Sequence, residues 1–122
     1  MDNTEVVNNT SKYIVKTTGI GSETNEILVD AEKLAEGTDG SKVSLIECYY
    51  LIEGTGTLTI SAASETETQA AGKTVAKPLS LTGKGKYGLR PNQLKYGNDK
   101  IFKLTTDSNV KSYLLVTEFR RN

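Results

Sequence analysis

Basic and aromatic side chains alternate along one short segment of this chain. Lys84, Lys86, Arg90 and Lys95 lie among Tyr87 and Tyr96, and the tripeptide Lys-Tyr-Gly occurs twice, at 86–88 and 95–97. Cations set between aromatic rings suit three kinds of recognition. They can stack on and neutralise a single-stranded nucleic acid, stack on a sugar, or anchor a protein interface. The plain alternative is a charged loop whose tyrosines pack on a sheet rim. Fifteen Lys/Arg balance fifteen Asp/Glu, so the chain lacks the global positive field that nucleic-acid binding needs, and no nucleic acid is expected as a partner.

Other chemistry is restricted by what the sequence lacks. There is no histidine, the side chain that most often moves protons near neutral pH. That removes Ser-His-Asp and Cys-His arrangements and zinc sites that use histidine. Two carboxylates, Glu47 and Glu53, share one strand-like run. Six residues of extended chain separate them by about 20 Å, too far for a glycosidase pair. Glu65, Glu67 and Asp99 could ligate calcium, but no Asp/Asn-rich loop of suitable spacing contains them. Gly83-Lys84-Gly85-Lys86 has neither the spacing nor the following helix of a phosphate loop. Cys48 is a lone cysteine between Glu47 and Tyr49. It reads as a reduced residue of the core or sheet, because a reactive thiol needs an exposed, electropositive setting. The expectation is a protein that is not an enzyme and uses no metal or cofactor.

The elements that must position these residues are β-strands. The 122 residues suffice for one domain. Sixteen threonines and eleven glycines against two prolines suit strands joined by tight turns. Alternation predicts strands over 12–18, 26–29, 43–52, 57–61, 74–81, 100–105 and 112–120. Asp30 is placed to cap a single helical turn over 31–35, ended by Gly37. The run 43–52 is apolar at both parities and predicts a central strand covered on two sides. Glu53-Gly54-Thr55-Gly56 reads as a hairpin turn into the strand 57–61, and 61–72 reads as an exposed loop. Residues 81–91 are too glycine-rich for a central strand, and Pro78 marks an edge or bulge. The sum is an all-β chain, a two-sheet β-sandwich of the Ig-like or jelly-roll kind with about seven to eight strands. A polar arm at 1–11 precedes a single domain over 12–122.

The charge is unevenly distributed. Residues 1–61 carry four Lys/Arg against ten Asp/Glu, a net −6, and residues 62–122 carry eleven against five, a net +6. Interleaved strands would cancel this field, whereas separate acidic and basic patches would attract copies of the chain to one another. No stretch approaches the roughly 20 apolar residues of a membrane span. The acidic start, Met1-Asp2-Asn3-Thr4-Glu5, is unlike a signal or transit peptide, so folding in a cytosol and no membrane partner are expected.

Three stretches carry a family resemblance: residues 41–50 with the turn and return strand to Ile60, Leu81-Thr82-Gly83 with 85–91, and the terminal run 112–121. Together they resemble small β-rich virion proteins of tailed bacteriophages, especially marine ones. That resemblance implies a structural protein located in the virion, a capsid decoration or cement protein, or else a head–tail, tail or fibre component. Its implied partners are the major capsid protein or copies of itself, in an oligomer or bound to a lattice. The candidate interface is then Lys86, Tyr87, Arg90, Lys95 and Tyr96, together with Arg120 and Arg121, which could pair with a neighbour's carboxylates. A competing reading is a carbohydrate- or ligand-binding β-module that uses Tyr49, Tyr50, Tyr87 and Tyr96.

Overall fold

A computed structural model describes residues 1–62, 66–68, 74–76, 78–88 and 95–122. Within them the strands are β1 (Asp2–Asn8), β2 (Lys12–Ile20), β3 (Glu23–Asp30), β4 (Val43–Gly54), β5 (Leu58–Ala62), β6 (Thr66–Thr68), β7 (Thr74–Ala76), β8 (Leu79–Leu81), β9 (Lys84–Gly88), β10 (Lys95–Asp99), β11 (Ile101–Thr106) and β12 (Val110–Arg121). They form two antiparallel sheets. The larger runs β1-β2-β12-β4-β10-β6-β7, with β9 paired to β4 beside β10, and the smaller runs β3-β11-β5-β8. The chain crosses between the sheets at most of its connections, which is jelly-roll winding and not the Ig arrangement. Strands exceed the expected seven to eight because β1, β6, β9 and β10 arise in segments read as arm, loop or basic, glycine-rich connection, and the run 74–81 holds two strands, β7 and β8. Residues 2–8, read as part of a polar arm, form edge strand β1, held against β2. Strands from the acidic and basic halves alternate through the smaller sheet and along β2-β12-β4-β10 of the larger, whereas β1-β2 and β10-β6-β7 each come from one half.

Between the sheets lies a core in which Val15, Val43, Leu45, Cys48, Leu58, Ile60, Tyr96, Phe102, Leu104, Leu115 and Phe119 are fully buried. Alternation was a reliable guide along β12. Tyr113, Leu115, Thr117 and Phe119 point inward, while Leu114, Val116 and Glu118 point out. In β4 the two apolar parities have a different cause from the expected two-sided cover. Pairing with β12 slips by one residue between Glu118–Glu47 and Phe119–Leu45, so Ile46 is the extra residue of a bulge. Val43 and Leu45 face inward before it; Cys48 and Ile52 do so after it. The outward parity beyond the bulge is Glu47, Tyr49 and Leu51, and Tyr49 and Leu51 are exposed.

Glu53-Gly54-Thr55-Gly56 is a crossing between sheets and not the expected hairpin. β4 lies in the larger sheet, and β5 pairs β11 and β8 in the smaller. Gly54 takes φ +100°, and a Cβ there would meet the Asn109 carbonyl. The turn is therefore folded against the β11–β12 connection, where Asp107 accepts hydrogen bonds from the Thr57 and Asn109 backbone amides at 3.0 and 2.9 Å. The helical turn expected after Asp30 is a 3-10 turn, Ala31–Lys33, and Asp30 accepts from the Glu32 amide at 3.2 Å.

Gly19 faces Tyr113 across β2 and β12. A Cβ there would lie 2.5 Å from the buried Tyr113 ring. Gly19→Ala is expected to cost about 1–2 kcal/mol by forcing that ring aside. Urea denaturation measures it, and an unchanged midpoint would mean that the ring moves freely.

Candidate functional site

The outer face of the larger sheet carries the arrangement best suited to recognition. Antiparallel register sets Thr4, Lys16, Val116, Tyr49 and Lys86 in one row across β1, β2, β12, β4 and β9. The next row places Ile14, Glu118 and Glu47 side by side, and the row on the other side places Thr18, Leu114, Leu51 and Lys84. Neighbouring strands stand about 4.8 Å apart, so a single small ligand spans several of these side chains. Tyr49 is 50% and Leu51 45% exposed, on a strand paired on both sides.

Charge surrounds the ring. Lys86 Nζ sits 2.8 Å from Glu47 Oε1 and 5.3 Å from the centre of the Tyr49 ring. Its hydrogen bond to Glu47 and that carboxylate's charge raise the Lys86 pKa, so the ammonium persists above the usual lysine range. Glu47 does meet a carboxylate, though not the distant Glu53 of its own strand. Glu118 stands directly opposite Glu47 across β12 and β4. Only the register brings these carboxylates together, and they lie seventy-one positions apart in the chain, so no local motif signals them. Beyond Leu51 and Leu114 the face continues into a shallow cavity of about 370 Å³ that also touches Ile20, Glu53 and Asp2.

The other candidate residues are dispersed. Tyr96 is fully buried in the core, edge-on to Phe102 at 6.1 Å, and is not an interface residue. It pairs with Leu45, an inward position of β4. Tyr87 and Tyr50 are half-buried and pack against the core. Lys95 starts β10 opposite Thr68, and Arg90 lies outside the described residues. Arg120 is exposed and donates from Nε to Asn122 at 3.2 Å. Arg121 is an internal tie: its guanidinium bonds the Asn9 and Ala35 carbonyls at 2.8 and 2.6 Å. Of the tyrosines named for ligand binding, Tyr49 alone among them presents an exposed ring.

Cys48 is buried on the inner face opposite Tyr87. Burial pushes its thiol up to about 12, against a smaller lowering by a Tyr87 backbone hydrogen bond. Unfolded, the thiol ionises near 9.0. Between those values the unfolded chain has lost a proton that the folded chain keeps, so this contribution to stability is intact below pH 9 and is lost as pH rises towards 12. Burial raises Tyr13 and Tyr113 in the same direction. The urea midpoint is expected to fall between pH 9 and 11, less steeply in Cys48→Ala, with a limit of about 1.4 kcal/mol per pH unit from the thiol. Equal slopes in both proteins would contradict this.

The fold and this face define a jelly-roll β-sandwich with an aromatic, charge-rimmed platform on its larger sheet. No protein family and no curated protein matches the chain. Among solved structures it is similar to a cupin domain from Bordetella pertussis Tohama I, at 12% identity over 99% of this chain and 92% of that one, with a TM-score of 0.41. The expectation of a capsid decoration or cement protein, and with it the head–tail, tail or fibre version, is corrected: none of these comparisons found a virion protein.

Proposed function

We propose that this chain is a non-enzymatic carbohydrate-binding module that takes its ligand on the outer face of the larger sheet. The observation that carries the reading is the exposed Tyr49 ring between apolar Leu51 and Val116 and the Glu47–Lys86 pair. A pyranose has an apolar C–H face and a rim of hydroxyls. The ring and its aliphatic neighbours match the first, and carboxylates and ammonium groups match the second. Both signs of charge occur around the ring, with Lys16 and Lys86 in its row and Glu47 and Glu118 in the next. That suits a ligand with many neutral donors and acceptors better than a polyanion. The cavity beyond Leu51 lengthens the platform enough for more than one sugar unit.

Affinity electrophoresis of the isolated chain in gels containing soluble polysaccharides tests this. Retardation by at least one polysaccharide, relieved by free oligosaccharide, is expected. Unchanged mobility across a panel of neutral, acidic and amino polysaccharides would overturn the proposal.

A further inference from the structure

A second site lies at the end of the sandwich where β12 finishes. Arg121 Nη1 donates to Asn8 Oδ1 at 3.3 Å and to the Asn9 carbonyl at 2.8 Å, and Nη2 donates to the Ala35 carbonyl at 2.6 Å. All three acceptors are neutral, and no carboxylate pairs with Arg121 among the described residues. The guanidinium is thus immobilised with its charge uncompensated. It has five N–H donors, and Nε–H with one Nη2–H remain unused, a pair suited to side-on reception of a carboxylate.

Two cavities open on this group. One, of about 170 Å³, is lined by Arg121 with Lys42, Glu36, Thr10 and Ser41. The other, of about 330 Å³, is lined by Arg121 with Asn8, Asn9 and Glu36. Glu36 borders both and holds a left-handed φ of 61°, a conformation that costs a residue with a Cβ. We propose that the smaller cavity is a binding site for a small monocarboxylate, separate from the Tyr49 platform. The side chains of its lining, which also includes Ala31 and Asn122, carry two cations and one carboxylate, a net single positive charge that matches a monoanion. A phosphate group, with a charge near −1.5 to −2, would meet Glu36 uncompensated. A cavity of about 170 Å³ has room for a short-chain acid.

Titration of the full chain with sodium acetate, propionate and phosphate at constant ionic strength, followed by amide NMR shifts, tests the site. Acetate and propionate are expected to give saturable shifts confined to residues 8–10, 35–42 and 121–122. Lys42→Ala is expected to weaken binding about fivefold, the scale of one exposed ion pair, and Glu36→Gln to tighten phosphate binding by a similar factor. Arg121 ties three segments, so its replacement endangers folding, and the Lys42 and Glu36 variants decide. No saturable shift with either acid, tighter binding of phosphate than acetate in the unaltered chain, or equal affinity in Lys42→Ala would each overturn the proposal.

Discussion

Phe102→Ala is expected to cost about 3–5 kcal/mol, the range for removing a fully buried aromatic ring, and so to bring the chain close to unfolding. Phe102 is the one ring that the smaller sheet contributes to a chain of four. It stands edge-on to Phe119 of β12 at 5.1 Å and to Tyr96 of β10 at 6.1 Å, and Phe119 in turn meets Tyr13 of β2 at 6.4 Å. Phe102, Phe119 and Tyr96 have no exposed surface. Deleting Phe102 therefore leaves a cavity between the sheets and strips a partner from two further rings. Urea denaturation measures the loss. If the alanine variant does not fold, Phe102→Leu keeps the test open with an expected cost of about 1.5 kcal/mol. A loss below about 1 kcal/mol in the alanine variant would show that the sheets are held elsewhere.

Tyr49→Ala is expected to have the opposite character, with a large effect on binding and little on stability. The ring is half exposed, so the folded state has little packing to lose. Covering an aromatic face with ligand contributes about 2 kcal/mol, and its removal weakens affinity about thirtyfold. Calorimetric titration with a polysaccharide that the chain retains supplies the affinity, and thermal denaturation supplies the control. Tyr87→Ala should divide the other way. That ring is half-buried against the core, so its removal lowers stability and leaves affinity unchanged in the fraction that stays folded. Equal affinity of the Tyr49 variant and the unaltered chain would move the ligand off this face.

The sandwich was legible because both sheets have one face in the core, and β5, β11 and β12 show the resulting alternation directly. The connection of those strands was not. A tight turn such as 53–56 looks the same whether its strands pair or cross between sheets; the contact with the Asn109–Val110 backbone that settles it comes from a distant segment. The bulge at Ile46 was hidden for a related reason. A parity change inside a long apolar strand is indistinguishable in sequence from burial on both sides. The two Lys-Tyr-Gly tripeptides show how far local pattern misleads about a site. Tyr87 pairs with Cys48 and keeps some exposure, while Tyr96 pairs with Leu45 and is sealed in the core. Lys86 was singled out from sequence and does stand at the platform. Tyr49, its ring partner, appeared only within the ligand-binding alternative. Glu118 carries no sequence signal of a site, because its proximity to Glu47 exists only once β12 is in register.

Carbohydrate binding by the outer face around Tyr49 is tested by a glycan array probed in parallel with the labelled unaltered chain, Tyr49→Ala and Tyr87→Ala. One related set of glycans is expected to be bound by the unaltered chain and by folded Tyr87→Ala, and lost in Tyr49→Ala. No glycan bound by any of the three proteins, or the same glycans bound by all three with equal intensity, would contradict it.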